Sequence, residues 1–173
     1  MFVIDTSTSV EGEFQQQLQF AVDLKRLSVS ILTFANTSSV VSSFGLLPKD
    51  EVVFELERIG NATGPASLTT ATSAAVTEIE AHRRKNSRIV VIIVSNGNGG
   101  EDKWEEVKKT SGILQSSGAE IFAVSLSESA NVNKLKEYTG SDDKLYVAEK
   151  SDKFIQEIGS SILSCPSASG VNK

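Results

Sequence analysis

Residues 88–95 read RIVVIIVS, and no other stretch limits the fold so strongly. The run is apolar, rich in β-branched side chains and shorter than a buried helix. It predicts a strand buried on both faces, as in a parallel sheet covered by helices on either side. The flanking segments supply the other layers. Residues 2–4 read as a strand, and 13–27 as a helix with Phe14, Leu18, Ala21, Val22 and Leu27 at helical spacing. Residues 29–34 and 40–44 read as strands, and the short polar link 35–39 makes them an antiparallel hairpin at the sheet edge. Helices follow at 48–59, opened by Pro48, and at 72–84. Beyond the central strand come a glycine-rich loop at 96–100, a helix at 103–116 and a strand at 120–126. A helix at 132–138, a strand at 145–147 and a helix at 153–163, with Phe154, Ile155, Ile158 and Ile162 inward, complete the chain.

This alternation predicts an α/β fold: a doubly wound, mostly parallel sheet of about six strands with one antiparallel edge strand and helices on both faces. One domain over 1–164 and a polar tail or linker at 165–173 fit the 173 residues. Between Leu27 and Val29 there is almost no room for a helix to turn back to the sheet. Either the helix ends earlier or residues of the natural chain are missing there. In doubly wound sheets the ligand crevice lies at the carboxyl ends of the strands, where the winding reverses. The loops after Ile4 and Ser95 are therefore the places to look.

Composition removes several classes of function. The net charge of −5 and pI near 5.0 argue against nucleic acid, which demands a cationic face. The basic run 82–85 reads as a helix end, where cations favour the negative dipole. No apolar stretch approaches the roughly 20 residues that span a bilayer, so membrane insertion of this domain is not expected. Met1 sits directly on the first strand, which reads as a piece cut from a longer protein. His82 is the single histidine and Cys165 the single cysteine, remote from it in sequence. Neither a zinc site nor a Ser- or Cys-His dyad can be built from them, so an enzyme is not expected. The loop NGNGG has no Walker lysine. Asp5 lacks the second acid two residues on that an aspartyl-phosphate enzyme needs, because Ser7 stands there. Trp104 and Tyr138 read as packing residues, and Asp142 and Asp143 as solvated charge. Asn36 and Asn61 both open N-x-[ST] sequons in predicted loops. Cys165 reads as a buried residue, a free thiol or half of a disulfide whose partner lies outside this sequence; with that last reading, the sequons point to an extracellular or secreted protein, or the ectodomain of a membrane protein.

The first strand runs into Asp5-Thr6-Ser7-Thr8-Ser9, a D-x-S-x-S pattern, and a second hydroxyl cluster, SLTTATSAA, spans 67–75. Here the chain resembles the von Willebrand factor type A domain, the family that includes integrin inserted domains. The resemblance runs from residue 2 to residue 163. In that family D-x-S-x-S helps to hold a divalent cation in a metal-ion-dependent adhesion site. A threonine of a T-x-T-G-x-A-L-like loop and the aspartate of a T-D-G-like loop complete it. The first aligns with residues 70–76, which implies Thr70 as ligand, or Thr69 if the register slips by one; the second aligns with Ser95-Asn96-Gly97. The implied set is Asp5, Ser7, Ser9, Thr70 and Asn96, holding Mg²⁺, or Mn²⁺ or Ca²⁺. Hydroxyl ligands leave the ion net positive charge, so that a partner's Glu or Asp completes its shell. The implied function is adhesion or protein binding, to an extracellular-matrix or cell-surface protein. Asn96 departs from the family pattern by one negative charge. That implies a weakened site, and leaves open a vestigial one on a metal-independent interaction scaffold.

Overall fold

The computed structural model describes residues 1–23, 30–44, 49–62, 64–85, 87–100 and 102–158. Strand β1 (Phe2–Asp5) is followed by a short 3-10 turn at Thr8–Val10 and helix α1 (Phe14–Asp23). Strands β2 (Ile31–Phe34) and β3 (Ser38–Ser42) precede α2 (Lys49–Glu57), α3 (Leu68–His82) and β4 (Val90–Val94). Then come α4 (Trp104–Ser116), β5 (Glu120–Ser125), α5 (Val132–Thr139), β6 (Leu145–Val147) and α6 (Lys150–Lys153). A π-helical turn, Phe154–Ile158, continues from α6.

The sheet order is β3-β2-β1-β4-β5-β6, parallel throughout except for β3, which pairs antiparallel with β2. This is the predicted doubly wound sheet with its antiparallel edge. The winding reverses between β1 and β4, where Ile4 lies beside Val94. The loops after these two strands therefore open at one crevice. Alternate residues of the central strands face opposite cores, as strand geometry requires. Val3, Val91 and Ile93 face a core with Ala71, Ala75 and Ile79 of α3 and Leu135 and Tyr138 of α5. Ile4, Ile92 and Val94 face the other, with Phe14, Leu18 and Phe20 of α1 and Phe154. Burying both faces removes the freedom to slip register, because a one-residue shift would exchange the two cores.

Several boundaries differ from the predicted ones. Helix α3 begins at Leu68 rather than 72, because Ser67 caps it by accepting a hydrogen bond from Thr70 N at 3.2 Å. The hydroxyl cluster is thus the first turn of that helix. Strand β3 lies two residues earlier than expected, and the hairpin link shortens to 35–37. The last helix starts at Lys150, ahead of residue 153, and widens to a π-turn at Phe154. Trp104 is a correction: it opens α4 and is 46% exposed, so it is not a packing residue. Tyr138 is fully buried, as expected. The predicted turn at 27–29, Pro48, Ile162, Cys165 and the tail 165–173 lie outside the described residues. Among those described, no helix is long and apolar enough to cross a membrane.

Candidate functional site

The crevice is lined by loops whose side chains turn back onto their own backbone. Asp5 ends β1 and is completely buried. Its Oδ1 accepts from Ser7 N at 3.0 Å, and its Oδ2 accepts from Ser95 Oγ at 2.5 Å. Burial pushes the Asp5 carboxyl above its ordinary range. The hydrogen bonds from Ser7 and Ser95 and the charge of Lys134 oppose that shift. Ser7 Oγ accepts from Ser9 N at 3.3 Å and lies 2.8 Å from Ser9 Oγ.

Asn96 joins the loop after β4 to this set. Its Nδ2 donates to Ser9 O at 2.6 Å, and its Oδ1 accepts from Asn98 N at 2.8 Å and from Ser9 Oγ at 3.5 Å. Asp5, Ser7, Ser9 and Asn96 are therefore one hydrogen-bonded group. Thr70 belongs to a second group, at the start of α3. Its Oγ1 lies 2.8 Å from Ser67 Oγ, and the residue is exposed. Thr69, the alternative, donates its hydroxyl to Asp102 Oδ1 at 2.8 Å. Among the described residues no hydrogen bond joins the two groups directly. They meet at Gly99, where a Cβ would lie 3.3 Å from Ala66 N and 3.5 Å from Ser9 Oγ. Asn36 and Asn61 are both exposed in loops, as a glycan acceptor must be.

Several residues of the rim escape a reading of the sequence. Ser95 is one, holding the Asp5 carboxylate from the next strand. Asp102 and Lys134 are two more, paired at 3.0 Å with side chains only 6% and 8% exposed. The loop after β5 is a further case. Ser127 N lies 3.3 Å from Ser125 Oγ, Ser129 N lies 3.3 Å from Ser127 Oγ, and the last two hydroxyls are 3.0 Å apart. This S-x-S-x-S turn repeats the D-x-S-x-S turn after β1, with a hydroxyl where the carboxylate stands. The repeated spacing was the available signal in the sequence.

Among the described residues no three His, Cys, Asp or Glu side chains gather as a metal-binding group. A cation here would be held by hydroxyl, amide and water oxygens around one carboxylate. The hydroxyl geometry suits that role. Oxygens about 2.0–2.1 Å from Mg²⁺ and at right angles to one another stand about 2.9 Å apart. Ser7 and Ser9 Oγ are 2.8 Å apart.

A family model described as von Willebrand factor type A domain matches residues 1–160. No curated protein sequence matches the chain. Among solved structures, proximal thread matrix protein 1 from the mussel byssus, "with zinc occupied MIDAS motif", superposes with a TM-score of 0.76 at 18% identity. The match covers 94% of this chain and 43% of the mussel protein, so the chain spans less than half of that relative. Manganese-loaded TRAP protein of Plasmodium vivax gives a TM-score of 0.72 at 13% identity, over 88% of this chain and 68% of that one. An aerotolerance-related membrane protein of Bacteroides fragilis gives 0.74 at 12% identity, over 93% and 98% of the two chains. At these identities the likeness is one of fold.

Proposed function

The chain belongs to the von Willebrand factor type A domain family, and on that premise we propose that it is an extracellular binding module. It captures an acidic residue of a protein partner through a divalent cation at the crevice. The observation that carries this reading is the pair of hydroxyls of Ser7 and Ser9, 2.8 Å apart beside the buried Asp5 carboxylate. Ser7 and Ser9 would ligate the ion directly, and Asp5 would act through water and by its charge. Thr70 would join directly or through water, and Asn96 would ligate or hold a water. Mg²⁺, Mn²⁺ and Ca²⁺ are the candidate ions, all of them takers of oxygen ligands. When bound, the ion supplies a Lewis-acidic position that a partner's Glu or Asp can fill. With one carboxylate in the set, the ion keeps net positive charge, and that charge selects an anionic ligand.

The relatives support this reading, since the mussel protein has a zinc-occupied MIDAS motif and the Plasmodium vivax protein is manganese-loaded. Titration calorimetry with Mn²⁺ tests it. The wild type should show one saturable site that Asp5→Ala abolishes, and equal heats from the two would end the proposal.

One observation favours a second reading, a metal-independent scaffold with a vestigial site. Asn96 satisfies both ends of its amide within the protein, on Ser9 O and Asn98 N. The loop therefore closes without an ion. A pull-down whose yield is unchanged by EDTA would select this reading over the first.

A further inference from the structure

Asp102 and Lys134 stand outside the proposed ligand set, yet they tie together the elements around it. Asp102 Oδ1 accepts from Ser67 Oγ at 3.0 Å and Thr69 Oγ1 at 2.8 Å. Its Oδ2 accepts from Leu68 N at 3.2 Å and from Lys134 Nζ at 3.0 Å. Lys134, from the first turn of α5, also donates to Gly99 O at 3.3 Å. Gly99 in turn packs on Ser9, and Gly100 is pressed against the Ala66 carbonyl. One carboxylate thus joins the first turn of α3, the loop after β4 and α5.

Two consequences follow. The first concerns the choice of threonine. The Thr69 proton is directed to a carboxylate that only accepts, which fixes that side chain on Asp102. Thr70, one residue on, is left exposed with Ser67 Oγ beside it. The second concerns charge. Lys134 donates to Gly99 O, and Gly99 lies against Ser9, so the lysine's ammonium stands one residue away from the proposed hydroxyl ligands. An ammonium in that place would repel a divalent cation were it not paired. Asp102 neutralises it, so the only unbalanced charge among these groups is that of Asp5.

We propose that Asp102 is a positioning residue for ion capture, holding Thr69 away from the cation and cancelling the charge of Lys134. The inference rests on the metal-binding reading above. It predicts different effects for the two members of the pair: weaker Mn²⁺ binding on losing the Asp102 charge, and no weakening on losing that of Lys134. Asp102→Asn leaves Lys134 unpaired beside the site and should weaken Mn²⁺ binding by about tenfold, the scale expected for one uncompensated unit charge near a divalent ion. Lys134→Gln leaves the Asp102 charge unopposed and should keep or tighten Mn²⁺ binding. The double variant should return to within about threefold of wild type, because the pair is then electrically neutral again.

The experiment is Mn²⁺ titration of the full chain, read by calorimetry and by the electron paramagnetic resonance of free Mn²⁺. Circular dichroism and thermal melts accompany each variant. A role confined to stability would lower the melting temperature in both single variants and weaken Mn²⁺ binding in both alike. That result would overturn the inference. So would an unchanged affinity in Asp102→Asn. If Asp102→Asn fails to fold, Lys134→Gln alone decides the sign, and weakened binding there overturns the proposal. A wild type that binds no Mn²⁺ overturns the reading on which the inference stands.

Discussion

The resemblance to the family pattern aligns Asn96 with an aspartate, and the structure shows what the amide does there. It holds Ser9 O through Nδ2, which a carboxylate could not do. Asn96→Asp should therefore act in two directions. Without metal, a second carboxylate near the buried Asp5 should lower the melting temperature by like-charge repulsion. With Mn²⁺ present, affinity should rise at least tenfold by calorimetry, because the added charge faces the ion. No gain in affinity would mean that Asn96 does not face the ion. Asp102 makes a separate prediction about pH. Burial pushes its carboxyl up, but the hydrogen bonds from Thr69, Lys134 and Ser67 outweigh that and hold it below its ordinary value of 3.8. A depressed folded value means that ionised Asp102 stabilises the fold above the ordinary value. That stability is lost as pH falls from 3.8 through the lower folded value. Acid titration of the melting temperature should show this loss, and Asp102→Asn should flatten it.

At the scale of elements, aromatic packing anchors the second of the two cores. Phe154, fully buried, meets Phe20 and Phe122 at ring-centroid distances of 5.5 Å and Tyr146 at 5.0 Å. Phe154→Ala should cost about 3–5 kcal/mol in urea unfolding, since it opens a cavity that four elements share. Gly100 has φ +73°, and a Cβ there would collide with the Ala66 carbonyl oxygen. Gly100→Ala should cost at least about 1–2 kcal/mol from the backbone alone, with a further loss as the loop lifts from Ser9. Most of this order was legible in the sequence. RIVVIIVS, buried on both faces, left one place in the sheet for β4, and the hairpin placed β3 at the edge. The start of α3 was not, because serine and threonine are weak helix formers and the cap at Ser67 is visible only through its contact with Thr70 N. Asp102 was illegible for another reason. Its partners Ser67, Leu68 and Thr69 lie 33–35 residues away in the chain, so no local spacing announces them. Trp104 was misread because aromatic residues are usually buried, whereas this one begins a helix after the loop that follows β4.

At the scale of the whole molecule, the fold delivers three hydroxyl-bearing loops to the carboxyl end of the sheet. The loops after β1 and β5 carry the same turn, and the loop between them is fastened to both. Asn96 Nδ2 bonds Ser9 O on one side, and Asn98 Nδ2 bonds Ser129 O at 2.7 Å on the other. A partner that meets the ion therefore meets a continuous polar rim. Capture of such a partner from extracellular extract should fall to background in EDTA and return with Mg²⁺, and an EDTA-resistant yield would favour the scaffold reading. The most direct test is the anomalous difference map of a Mn²⁺-soaked crystal. We expect a single peak within bonding distance of both Ser7 Oγ and Ser9 Oγ, one water away from Asp5. A map that is blank there, or a peak held by other residues, would contradict ion capture at this crevice.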